Sequence, residues 1–144
     1  MIWPFRRKSK KRMARIVIDE PITSSTRVSV LKALKQIEDR EFPALILRID
    51  SPGGTVGDSQ EIYSAIKRLK EKGCKVVASF GNISASGGVY IGVASDKIVA
   101  NPGTITGSIG VIIRGNNLSE LLNKIGIKFE TVKSGIYKDI LSPD

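Results

Sequence analysis

The sequence predicts an α/β domain built on a mainly parallel sheet, and three observations carry that prediction. Short β-branched runs alternate with amphipathic helical patterns from Met13 onward. Two of the strand-to-helix connections are unusually rich in glycine. A chain of 144 residues, 41% of them apolar, is long enough for one domain with its own core and too apolar for a disordered segment.

The elements follow in order. Arg15-Ile16-Val17-Ile18-Asp19 reads as a first strand. Ser24, Ser25 or Thr26 caps a helix that carries Val28, Leu31, Leu34 and Ile37 on one face. Ala44-Leu45-Ile46-Leu47-Arg48-Ile49 is the second strand, and Asp50-Ser51-Pro52-Gly53-Gly54 turns out of it. A second helix sets Ile62, Ile66 and Leu69 in register and stops at Gly73, the residue type favoured just past a helix end. Residues 75–80 make a third strand, residues 81–88 a small-residue turn, and a short apolar helix lies near 89–94. Further strands are expected at 97–100 and 109–113. A helix over 118–125, capped by Asn116 or Asn117 and stopped by Gly126, precedes a sixth strand at 127–132. Neither an internal repeat nor a low-complexity linker interrupts this rhythm.

Charge is distributed unevenly. Lys and Arg number 23 against 14 acids, a net +9. Arg6, Arg7, Lys8, Lys10, Lys11, Arg12 and Arg15 lie in the first fifteen residues, which hold no acid. The basic character therefore belongs to a tail, residues 1–14, expected to be disordered or to rest on a membrane surface. Trp3 and Phe5 beside the polybasic run suit an anionic surface, at up to about 1 kcal/mol per basic residue. The remainder has neither a basic stripe nor an aromatic platform, so no specific nucleic-acid partner is expected. The apolar residues precede the charges, the reverse of a secretory signal, and no run approaches the ~20 residues of a membrane span. A cytoplasmic location, free or peripheral on the cytoplasmic side of a membrane, follows as the expectation.

The absence of histidine is the sharpest chemical fact in the composition. A Ser-His-Asp or Cys-His site within the chain is excluded, and so is a His-based zinc site. One cysteine, Cys74, allows neither an internal disulfide nor a Cys cluster for a metal, and beside the helix stop at Gly73 it reads as structural. No metal and no cofactor is expected. Nucleophilic catalysis here needs a base other than imidazole.

Ser51-Pro52-Gly53-Gly54 and Ser84-Ala85-Ser86-Gly87-Gly88 both fall at the carboxyl ends of strands, where open α/β sheets bind ligands. Neither phosphate-loop nor dinucleotide spacing is present. The other use of such turns is an oxyanion hole, where one lost backbone donor typically costs about 2.7–4 kcal/mol of transition-state stabilisation. Ser84-Ala85-Ser86-Gly87-Gly88 resembles a nucleophile elbow with serine in place of the first glycine. Close packing of a helix on a strand explains small residues equally well. Activation of Ser86 would fall to a lysine or a carboxylate. A lysine amine serves as base once burial favours its neutral form, and Ile136, Tyr137 and Ile140 surround Lys138 in sequence.

Four segments in order carry a resemblance: Asp50-Ser51-Pro52-Gly53-Gly54, Ser84-Ala85-Ser86-Gly87-Gly88-Val89-Tyr90, Thr106-Gly107-Ser108-Ile109-Gly110-Val111, and Lys133-Ser134-Gly135-Ile136-Tyr137-Lys138-Asp139-Ile140. Together they resemble the signal peptide peptidase A family, Ser-Lys proteases of the Clp protease and crotonase superfamily, over residues 15–143. The resemblance implies a repeated β-β-α spiral. It matches Ser86 to the nucleophile, Lys138 to the general base and Ser108 to the serine that hydrogen-bonds the lysine amine. Gly54, or otherwise Gly53, and Gly87 match the oxyanion-hole donors. It further implies apolar peptide substrates such as leftover signal peptides and a ring-like homo-oligomer. Family members carry a membrane anchor before this domain and helices after the lysine motif, so residues 15–144 are expected to be a catalytic domain shortened at its C-terminus. Two other classes compete. A crotonase-like acyl-CoA enzyme would use the oxyanion hole alone, and a non-catalytic module would hold peptides in the same groove.

Overall fold

The computed structural model describes residues 12–113, 118–128 and 134. They belong to two units, Met1–Gly110 and Val111–Asp144. The first unit runs β1 (Ala14–Ile18), α1 (Ser24–Asp39), β2 (Ala44–Ser51), α2 (Val56–Glu71), β3 (Lys75–Ala85), α3 (Gly87–Gly92), β4 (Lys97–Val99) and β5 (Ile105–Gly107). The second contains α4 (Ser119–Lys124).

Every strand pairing is parallel, in the order β1-β2-β3-β4. The long β3 takes two short partners in succession, β4 along residues 77–79 and β5 along residues 83–85. Parallel neighbours need crossovers, and α1 and α2 supply the first two. The register lines up Ile16, Leu47 and Ala78 in one row and Ile18, Ile49 and Phe80 in the next. All six are buried, against Val30, Leu34 and Ile37 of α1 and Ile62, Ile66 and Leu69 of α2. Each fully buried aliphatic side chain contributes about 1.5–3 kcal/mol, which decides which face of each helix turns inward. The alternate row, Val17, Arg48 and Ser79, lies on the more open face, where the Arg48 guanidinium donates to Ser79 Oγ at 3.0 Å and to the Phe80 carbonyl at 2.8 Å.

The helix ends depart from expectation in detail. Thr23, not Ser24, Ser25 or Thr26, occupies the N-cap of α1. Thr26 is buried instead, its hydroxyl directed to the Pro21 carbonyl at 2.9 Å and to the Glu20 carboxylate at 3.0 Å, so it tightens the connection from β1. Gly73 does end α2, with φ +94, and Gly126 follows α4 with φ +76. Leu118 stands at the N-cap of α4, while Asn116 and Asn117 lie outside the described residues.

Larger differences concern β3 and β5. Residues 81–85, expected within a turn, continue β3, because β5 and the Asp50 carboxylate satisfy their backbone. The short helix accordingly begins at Gly87 rather than near Val89. The fifth strand forms at Ile105–Gly107, and residues 109–113 have no regular structure and are exposed. Pairing with β3 decided this over the richer β-branched run. Of the expected sixth strand, Ile127 and Lys128 have no regular structure, and residues 129–132 lie outside the described residues.

Candidate active site

Ser86 sits where β3 gives way to α3, with φ 49 and ψ −117. Serine rarely adopts this conformation, which costs on the order of 1–3 kcal/mol and persists only where its surroundings hold it. Both of its backbone groups are held. The Ser86 amide donates to the Gly107 carbonyl at 2.8 Å, and its carbonyl accepts from the Tyr90 amide at 3.0 Å. A serine at a strained strand-to-helix turn, half-buried, is the geometry that projects a hydroxyl outward for attack.

The other glycine-rich turn is pressed against it. A side chain on Gly53, whose φ is +95, would put its Cβ 2.7 Å from Gly87 N and 2.8 Å from Ser86 Cβ. A Cβ on Gly54 would fall 1.9 Å from the Ile22 carbonyl oxygen. These contacts show why glycine stands at both places. The Gly53 amide is already engaged, donating to Ser51 Oγ at 3.2 Å. Gly54 forms a parallel bridge with Ile22 that uses the Gly53 carbonyl and the Thr55 amide. That pattern leaves the Gly54 N–H out of the bridge, and the Gly87 N–H likewise has no backbone acceptor among the described residues. Gly54 N lies 3.4 Å from the point a Gly87 Cβ would occupy, so the two glycine-rich turns meet beside Ser86.

Ser51 anchors the first turn from below: fully buried, its hydroxyl donates to the Glu20 carbonyl at 2.7 Å while accepting the Gly53 amide. Ser84 is also fully buried, and its hydroxyl has no hydrogen-bond partner among the described residues. Tyr90, one turn into α3, stacks on Tyr63 of α2 with ring centroids 4.8 Å apart and donates its hydroxyl to Gln60 Oε1. Ser108 directly follows Gly107, whose carbonyl holds the Ser86 amide, and it is exposed with φ 52. The structure thus brings Ser86, Gly53, Gly54, Gly87 and the Gly107-Ser108 step into one neighbourhood. Lys138 lies outside the described residues. Among the described residues no cluster of His, Cys, Asp or Glu fits a metal ion, and no helix is long and apolar enough to cross a membrane.

Asp50 opens one of the motifs that carry the resemblance, but the sequence assigns it no role. Its carboxylate accepts the Ile83 amide at 3.0 Å, and that hydrogen bond is the main reason its carboxyl is held below the ordinary aspartate value. The available signal was Gly81, a glycine inside a β-branched run, which marks a bulge as readily as a turn.

Comparison with known proteins gives this α/β fold a class: it belongs with the Clp protease family. The Clp protease profile matches residues 7–104. The structure resembles ClpP1 from Listeria monocytogenes with a TM-score of 0.53 and 25% identity, over 56% of this chain and 46% of the other. A membrane-bound stomatin-specific protease, solved with a substrate peptide, superposes with a TM-score of 0.64 and 24% identity, over 81% of this chain and 57% of the other.

Within that class the chain belongs to Peptidase family S49, whose profile matches residues 68–144. A Synechocystis sp. protein named as a protease is 64% identical over 144 residues, all of this chain and 52% of its own length. An Enterococcus faecium protein named as signal peptide peptidase SppA is 46% identical over 114 residues, 78% of this chain and 33% of the other. The chain therefore spans about half the length of the first relative and a third of the second.

Proposed function

We infer that the chain is a serine endopeptidase in which the Ser86 hydroxyl attacks a peptide carbonyl and the Lys138 amine is the base. The observation that carries the reading is the strained Ser86 backbone, with Gly54 and Gly87 packed closely beside it. The lysine assignment rests on the family resemblance and on a composition without histidine.

The chemistry follows from those groups. Neutral Lys138 takes the Ser86 Oγ proton as that oxygen bonds to the carbonyl carbon, and negative charge gathers on the carbonyl oxygen. The Gly54 and Gly87 amides donate to that oxyanion. Gly54 suits the role better than Gly53, whose amide is held by Ser51. The Lys138 ammonium then gives its proton to the leaving amine, and water activated by the same amine releases the acyl group from Ser86. The resemblance gives Ser108, which follows the Gly107 carbonyl that fixes Ser86, the role of hydrogen-bonding the lysine amine.

The substrate reading is an apolar peptide, such as a leftover signal peptide, cleaved at or near a membrane. It is supported by the name of the Enterococcus faecium relative and by the basic, Trp- and Phe-bearing stretch in residues 1–15, suited to an anionic surface on the cytoplasmic side. A homo-oligomer, ring-like as the resemblance implies, fits the exposed Ile105 and Ile109 of the first unit and Val111, Ile112 and Ile113 of the second.

Hydrolysis of an apolar fluorogenic peptide tests the mechanism. Ser86→Ala and Lys138→Ala each lower kcat by at least about 10⁴-fold while circular dichroism stays native, because the two groups act as a unit. Near-normal turnover by either folded variant rules the dyad out. Hydrolysis by the wild type rises with pH as the lysine amine loses its proton.

A further inference from the structure

The register of β3 against β2 changes at one place. Ile49 pairs with Phe80, but Ser51 pairs with Ser84, so the single residue Asp50 stands opposite Gly81, Asn82 and Ile83. Two extra residues are thus looped into β3, immediately before the segment that ends in Ser86. A bulge of this kind re-aims whatever follows it. With about 3.3 Å of rise per residue, losing it would slide Ser86 and Gly87 some 7 Å along the strand relative to Ser51 and Gly54, and the two glycine-rich turns would no longer meet.

The bulge is fastened from both sides. Asp50 Oδ1 accepts the Ile83 amide at 3.0 Å, and Asp50 Oδ2 accepts from Asn82 Nδ2 at 3.5 Å. On the other side, Thr104 Oγ1 donates to the Gly81 carbonyl at 2.8 Å while accepting the Asn101 amide at 3.1 Å. Gly81 is built to admit the carboxylate: a Cβ there would lie 2.4 Å from Asp50 Cγ and Oδ2.

We propose that Asp50 is a positioning residue for the nucleophile, its carboxylate clamping the bulge that sets Ser86 and Gly87 against the Gly53-Gly54 turn. Thr104 holds the same bulge from the other side. The assignment rests on the protease reading above, yet the clamp itself has a readout independent of activity. Asp50→Ala leaves the thermal transition cooperative, lowers kcat toward an apolar peptide by about 10²-fold, as displacement of a reacting group by an ångström does, and leaves KM unchanged. Asp50→Asn, which keeps the acceptor for the Ile83 amide, restores kcat to near the wild-type value. Amide hydrogen exchange at Ile83 and Ser86 accelerates in Asp50→Ala and not in Asp50→Asn. Should Asp50→Ala fail to fold, Thr104→Val carries the test, with a fall in kcat at constant KM.

Three results overturn the proposal: wild-type kcat and wild-type Ile83 exchange in a folded Asp50→Ala or Thr104→Val protein; a raised KM at unchanged kcat, which makes Asp50 a substrate contact; or an Asn variant as impaired as the Ala one. If the wild type itself neither cleaves peptides nor acylates at Ser86, the protease reading falls, and Ile83 exchange still decides whether Asp50 clamps the bulge.

Discussion

Gly53 shows at a single position how much of the site depends on backbone rather than on reactive side chains. Its φ of +95 and the 2.7 Å separation between a would-be Cβ and both Ala85 O and Gly87 N mean that any side chain meets main-chain atoms, which cannot rotate away. Gly53→Ala is therefore expected to cost at least about 1–3 kcal/mol, from the conformation alone, with the clash adding to it. A urea denaturation midpoint equal to the wild type's contradicts this. Ser86 and the two glycine-rich turns were legible in the sequence, because an elbow needs small residues at fixed offsets. Asp50 was not, since its role depends on which residues of β3 come to stand across from it, and that register is a tertiary outcome. Nor do the residues by themselves single Lys138 out from the other lysines; only the resemblance does.

The first two strands and the inward face of α2 could be read closely, but in α1 the expected Val28 is exposed and Val30 is buried in its place, beside Leu34 and Ile37. The third strand could not be read this way. Gly81 and Asn82 are turn formers in isolation, and Asp50 and Thr104, with β5 pairing the residues that follow, hold this stretch extended. Likewise, residues 109–113 are more β-branched than Ile105-Thr106-Gly107, yet β3 pairs with the latter. The loop from α3 into β4 is closed electrostatically. Asp96 accepts the Val76 amide at 2.7 Å and faces Lys70 Nζ at 3.4 Å, and these, the amide first, hold its carboxyl below the usual aspartate value. A carboxyl depressed in the folded state stabilises the fold above its unfolded value, about 3.9, and that contribution disappears as pH falls through the folded value. Thermal melts at pH 7 and pH 3 check this: the wild type loses more Tm on acidification than Asp96→Asn. An equal loss in both proteins removes Asp96 from the account.

At the scale of the whole molecule, a parallel sheet with helices over its buried rows gives the two glycine-rich turns one shared edge, and the chemistry follows from that placement. The large exposed side chains Ile105 and Ile109 argue for self-association, so sedimentation at micromolar concentration is expected to give a multiple of 15.6 kDa; a lone 15.6 kDa species counts against assembly. Whether the hydroxyl at position 86 is made nucleophilic by the amine at position 138 is read by reaction with a fluorophosphonate, followed by intact mass and peptide mapping. One adduct is expected, on Ser86, forming faster as pH rises and abolished in a folded Lys138→Ala protein. An adduct elsewhere, or a Lys138→Ala protein labelled at the wild-type rate, contradicts the assignment of Ser86 and Lys138.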